Sequence, residues 1–129
     1  MTTTSFLRPV LALDAASCTA MGLLMSLGAS SLAPLFGLSQ ALIFWAGLAL
    51  LPLAAFIGWL ASRPAPPSLL VWLVVAGNFA WTVESVLLIE TEAARITALG
   101  TAFVAVQAIA VLGLALLEYA GLRRMRAAA

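Results

Sequence analysis

Apolar residues dominate four stretches of the chain, from about Val10 to Leu32, Gln40 to Ala61, Leu69 to Ile89 and Ile96 to Tyr119. Each is close to the roughly 20 residues that an α-helix needs to cross about 30 Å of hydrocarbon. The runs are too long for strands and lack the alternation of a barrel wall, so the pattern predicts helices. The segments between them, 33–39, 62–68 and 90–95, are short, which makes neighbouring helices antiparallel. The expected fold is all-α, a polytopic transmembrane four-helix bundle forming a single domain.

Local punctuation agrees with these bounds. Pro9 suits a first helical turn, Pro34 and Gly37 interrupt the chain after the first span, and Ser39 is an N-cap candidate for the second. The Arg63-Pro64-Ala65-Pro66-Pro67-Ser68 stretch cannot continue a helix, because each proline lacks an N–H and restricts the residue before it. Pro52 falls inside the second span, where it frees a carbonyl and bends the helix. Glu90 to Arg95 marks the third turn with the chain's acidic cluster.

Composition narrows the class further. The chain of 129 residues is 64% hydrophobic and 9% charged, with a mean hydropathy of +1.15, against roughly 25% charged residues in an ordinary soluble domain. Four spans place both termini and the proline-rich turn on one face. Arg8, Arg63, Arg123, Arg124 and Arg126 fall there, against Arg95 on the other face. The positive-inside rule then puts both termini in the cytoplasm, with the Arg123-Arg124-Met125-Arg126 run as a stop-transfer anchor. Asp14 and the length of the first apolar run argue for a retained span rather than a cleaved signal peptide.

Several chemistries are excluded by what the sequence lacks. With one cysteine, Cys18, and no histidine, neither an intramolecular disulfide, a Cys-x-x-Cys centre, a histidine-held haem nor a Ser-His-Asp arrangement can be assembled. No Gly-rich phosphate loop or HExxH occurs. The expectation is a protein that is not an enzyme, carries no cofactor or metal, and binds no nucleic acid, since a net charge of +1 spread along membrane edges offers no basic surface.

The polar positions inside the spans are the remaining candidates. Asp14, Cys18, Gly22, Ser26 and Ser30 recur every fourth residue and form a small-residue ridge that lets another helix approach closely, within the chain or between chains. A substrate path along the same ridge is the alternative. In the third span Asn78, Thr82 and Ser85 share a face beside Trp81, and interhelical hydrogen bonding worth about 0.6 kcal/mol each is their expected role. Glu84 lies about 120° from Asn78 around that helix. With the span starting near Leu69 inside, Asn78 is near mid-membrane and Glu84 in the outer third; a central carboxylate costs roughly 2.5–3.5 kcal/mol on insertion scales, so Glu84 is expected to face protein or water, or to be protonated. An ion pair with Arg95 is one answer and proton or cation handling the other. Asp14 and Glu118, near the cytoplasmic ends of their spans, are expected to pair with Arg8, Arg63 or Arg123. Trp59 and Trp72 suit the cytoplasmic headgroup belt, Trp45 the outer one, and Trp81 the interior.

The stretches ALDAASCTAMGLL (12–24), WAGLALLPLAAFIGWLASRPAPP (45–67), GNFAWTVESVLLI (77–89) and LEYAGLRR (117–124) resemble those of small bacterial four-span integral membrane proteins. The resemblance covers nearly the whole chain and implies a bacterial inner (plasma) membrane and four spans, but no activity. Small multidrug-resistance transporters are also similar in having four short spans and an acid in the first. Their carboxylate is a glutamate well within the membrane, whereas Asp14 is an aspartate about four residues from the predicted interface, and their arginine and lysine bias is weaker. The function expected is a non-catalytic interaction or accessory component in the lipid bilayer, self-associating or bound to another membrane protein. The competing expectation is a small proton-coupled transporter using Glu84 or Asp14.

Overall fold

In a computed structural model that describes residues 4–127, with side chains from 6 to 125, the chain folds into four helices. They are α1 (Thr4–Phe36), α2 (Gln40–Ala61), α3 (Ser68–Thr91) and α4 (Ala98–Ala127). All four are long and apolar enough to cross a membrane, and the chain is a multi-pass helical membrane protein. Helix α1 packs along both α2 and α4, and α3 packs along α4, whereas α2 and α3 scarcely touch.

The second and third helices keep nearly the expected bounds, because their ends are set by local chemistry. The Ser39 side chain accepts a hydrogen bond from Leu42 N at 3.3 Å, capping α2. Proline-rich residues 64–67 separate α2 from α3. Pro52 lies inside α2, as expected.

The outer helices are longer than the apolar pattern indicates, and tertiary contacts explain both extensions. Helix α1 begins more than a turn before Pro9, because Leu7 is fully buried beside Gly121 of α4 and Phe6 lies under the Arg124 guanidinium, 4.4 Å from its ring centroid. The same contacts carry α4 past Tyr119, with Leu122 fully buried. At its other end α1 runs through Pro34 and stops at Gly37, whose φ of +69° favours glycine. There Gly37 N and Leu38 N both donate to Ala33 O, at 2.9 and 3.2 Å. Pro34 therefore does not interrupt the helix; Gly37 does.

The third turn spans residues 92–97 rather than 90–95, and Arg95 lies within it as expected. Thr97 organises it. Its hydroxyl donates to Leu35 O at 2.6 Å and accepts from Gly100 N at 3.0 Å, while its amide donates to Phe36 O at 2.9 Å. One threonine thus caps α4 and ties it to the C-terminal end of α1.

Small residues set the α1–α2 crossing. A Cβ on Gly22 would meet Gly47 O at 2.9 Å, and one on Gly47 would meet Met25 Cβ at 2.6 Å and Ser26 N at 2.7 Å. The small-residue ridge of the first span therefore packs within the chain at Gly22, while Ser30 is exposed. Replacing Gly47 by Ala is expected to lower unfolding stability by about 1–3 kcal/mol through overpacking against backbone. The equivalent change at Gly113, which has nothing within 4 Å of its Cβ position, is expected to raise stability by up to about 1 kcal/mol, as Ala does in place of Gly inside an unobstructed helix; equilibrium unfolding in detergent micelles reads both.

Candidate functional site

Two apolar clusters fill the bundle. One joins Leu7, Leu11, Leu60 and Val71 at the arginine-bearing end, and the other joins Met25, Phe36, Ile43 and Val104 at the far end. Buried polar side chains lie between them. Asp14 on α1 is 2% exposed and Glu118 on α4 is 0% exposed. Asn78 of α3 bridges them: its Nδ2 donates to Asp14 Oδ2 at 2.9 Å and to Glu118 Oε1 at 2.8 Å. A primary amide has two hydrogens on that nitrogen, and here each acid takes one.

The three residues share one level of the bundle. Asp14 and Asn78 each lie ten residues into their helices, and Glu118 nine residues before the end of α4, or about 14–15 Å along each axis. That level is inward of Arg8 and Arg123 along their own helices. The expected pairing of Asp14 and Glu118 with Arg8, Arg63 or Arg123 is not what the structure contains. Arg8 Nε donates to Ala61 O at 3.0 Å. The Arg63 guanidinium lies 5.2 Å from the Trp59 ring centroid and that of Arg123 5.8 Å from the Tyr119 centroid. Arg63 and Arg123 thus stay at the rim on aromatic rings. Arg126 belongs to α4, but its side chain is outside the described residues.

The Cys18 thiol donates to Asp14 Oδ1 at 3.5 Å, one turn along α1. Glu118 Oε2 is buried with no hydrogen-bond partner, an unusual condition for a polar atom inside a protein. Beside the cluster is a cavity of about 870 Å³ with walls from all four helices. Asp14, Cys18, Asn78, Trp81 and Gln107 contribute polar atoms to walls that are otherwise largely apolar, including Met21, Leu50, Phe56 and Phe103. Glu118 stands one hydrogen bond behind this wall, through Asn78.

A second polar network crosses from α3 to α4. Trp81 Nε1 donates to Gln107 Oε1 at 2.8 Å, and Gln107 Nε2 donates to Ser85 Oγ and to Val104 O, both at 2.8 Å. Ser85 Oγ in turn donates to Trp81 O. The interhelical bonding expected of Asn78 and Ser85 is present. Thr82 instead donates to Asn78 O of its own helix at 2.9 Å. Gln107 escaped the sequence reading, although it is the one amide side chain in the fourth apolar run.

Glu84 has neither of its expected partners nor access to the interior. It is exposed on α3, and Arg95 pairs with Glu92, 4.0 Å away, in the one ion pair among the described residues. Sixteen residues from the start of α3, or about 24 Å along its axis, Glu84 lies close enough to the outer face for its carboxylate to reach water. The acid that completes the Asp14–Asn78 site is Glu118.

What this arrangement can do is hold a proton or a cation: two acids and an amide provide acceptors and one shared donor, with no imidazole and no nucleophile–base pair. No family model, curated protein or solved structure matches the chain.

Asn78→Leu is expected to destabilise the bundle by at least about 1–3 kcal/mol, because both acids lose their interhelical donor. Glu84→Gln stays within about 0.5 kcal/mol of the parent, as for other exposed substitutions. Detergent unfolding of the two variants in parallel measures the difference.

Proposed function

We propose that this protein is a non-catalytic, multi-pass component of a bacterial inner membrane that receives a lipid-soluble guest in the cavity between its helices. The observation that carries this reading is the cavity itself, about 870 Å³, within the range of roughly 300–1,000 Å³ typical of ligand pockets. Leu53 of α2 and Leu73 of α3 line it and are also exposed. They flank the side on which those two helices scarcely touch, which gives a guest dissolved in lipid a lateral way in. Its expected surroundings are the bilayer, with a second copy or another membrane protein as partner.

Both termini are proposed to be cytoplasmic. The support is the arginine distribution: Arg8, Arg63, Arg123 and Arg124 gather at one end of the bundle and Arg95 at the other, with Arg126 following in the chain. The inner-membrane assignment is supported by the four-span resemblance.

A second reading, proton-coupled transport, is favoured by one observation, the Asp14–Asn78–Glu118 cluster in and behind the cavity wall. In it Asp14 and Glu118, rather than Glu84, handle the proton.

Gly77 lines the cavity and has nothing within 4 Å of its Cβ position, so Gly77→Phe fills space without striking backbone. In lipid nanodiscs, equilibrium dialysis is expected to show 4-phenylbutan-1-ol retained by the parent above empty discs and lost in Gly77→Phe; equal retention by both defeats the cavity reading. Proteoliposomes with an internal pH dye test the second reading: proton flux should survive Glu84→Gln and disappear in Asp14→Asn, and no flux in the parent removes it. Reporter fusions at Arg124 are expected to report the cytosol; a periplasmic signal reverses the orientation.

A further inference from the structure

The buried acid pair has a deficit of positive charge. Two carboxyl groups lie in the bundle interior with no arginine in contact among the described residues, and the single amide of Asn78 supplies both their interhelical hydrogen bonds. Among the described residues, no element around the cluster supplies the missing charge. On α1 the nearby groups are Cys18, a neutral thiol donor, and Arg8, which donates to Ala61 O. Helix α2 carries no ionisable side chain. On α3 Glu84 is exposed, and on α4 Arg123 and Arg124 lie over the Tyr119 and Phe6 rings. Two unneutralised carboxylates cannot remain in such an interior, so the cluster requires a positive charge that the described residues do not supply.

Two independent features say what form that charge takes. Glu118 Oε2 is an unpartnered acceptor on a fully buried side chain, and it is satisfied when a carboxyl O–H or an N–H donor occupies the cluster. The adjoining cavity is large and apolar, with Asp14 in its wall and aromatic residues Phe56, Trp81 and Phe103 around it. A bare metal ion would leave that volume unexplained, and a neutral apolar guest would leave the acids unexplained.

We propose that the Asp14–Asn78–Glu118 cluster is the polar head of the cavity and binds the protonated amine of a lipophilic amine, in exchange for one proton held by the empty cluster. This inference rests on the cavity reading above and names the ligand class for it. The exchange balances without covalent chemistry. An R–NH3+ group enters and donates N–H hydrogen bonds to the carboxylates, one carboxyl O–H releases its proton to water, and the net charge of the site is unchanged. The hydrocarbon or aryl part of the amine fills the cavity, in contact with Phe56 and Phe103, and its cation lies within reach of the Trp81 ring.

The test compares 4-phenylbutylamine with 4-phenylbutan-1-ol at pH 7 on the whole protein in nanodiscs, with empty discs subtracted. The amine is expected to bind on the order of tenfold more tightly than the alcohol, as charge-assisted hydrogen bonds dictate. A pH indicator in weakly buffered solution is expected to record about one proton released per amine bound. Asp14→Asn and Glu118→Gln should each reduce amine binding to the level of the alcohol while retaining alcohol binding, which shows that the variant is folded. Equal affinity of parent protein for amine and alcohol overturns the amine proposal and leaves the cavity standing. Undiminished amine preference in Asp14→Asn overturns the assigned site, and amine binding without proton release overturns the exchange. If neither compound binds and Gly77→Phe changes nothing, the underlying cavity reading has failed instead.

Discussion

The division of one amide between two acids is the interaction on which the interior of this bundle depends. Asn78 joins α3 to α1 through Asp14 and to α4 through Glu118, and α1 and α3 have no close backbone approach of their own. In lipid, apolar burial provides little drive for helices to associate, so directional bonds and close packing assume that role. The bridge also fixes rotation. Turning α3 by one residue, about 100°, would take Asn78 away from both acids.

Close packing then supplies what the bridge does not. The Gly22–Gly47 contact brings α1 and α2 together where any Cβ would strike backbone, and Gly121 admits Leu7 at the α1–α4 contact. Thr97 and the Gly37 turn secure the opposite end of that same pair. Helix α1 is thus held along its length on two sides. No comparable small-residue contact joins α2 to α3, which leaves the side on which Leu53 and Leu73 line the cavity.

The parts of the fold legible in the sequence are those decided by local chemistry or by the solvent. Four apolar runs, the proline-rich turn and the Ser39 cap all depend on residues close in the chain, and α2 keeps its expected bounds. The ends of α1 and α4 were not legible, because they are extended by contacts between residues more than 100 positions apart, such as Leu7 with Gly121. The candidate site divides in the same way. Asp14 and Asn78 are conspicuous as polar residues in apolar runs, but partner choice depended on depth and rotation. Counting from predicted interfaces moved Asp14 and Glu118 toward the membrane edge, since both of their helices begin or end beyond the apolar run. That shift brought both acids within apparent reach of the rim arginines. Gln107 was visible as a lone amide, yet nothing in one sequence relates it to Trp81 and Ser85 across the turn.

The position of the acid pair bears on why it is there at all. If Asp14, Asn78 and Glu118 served packing alone, a dry interior would serve them best, since bonds among buried polar groups strengthen as water and open space are excluded. Instead Asp14 and Asn78 are in the wall of the bundle's cavity, and Glu118 retains an unpartnered oxygen behind them. Replacing a buried polar cluster by well-packed apolar residues is often neutral or stabilising, so stability gives no reason to combine two acids with a neighbouring void. Exchange of an external positive charge does give one. The cluster must hold a positive charge to offset its carboxylates, and the cavity provides the space through which the carrier of that charge can change.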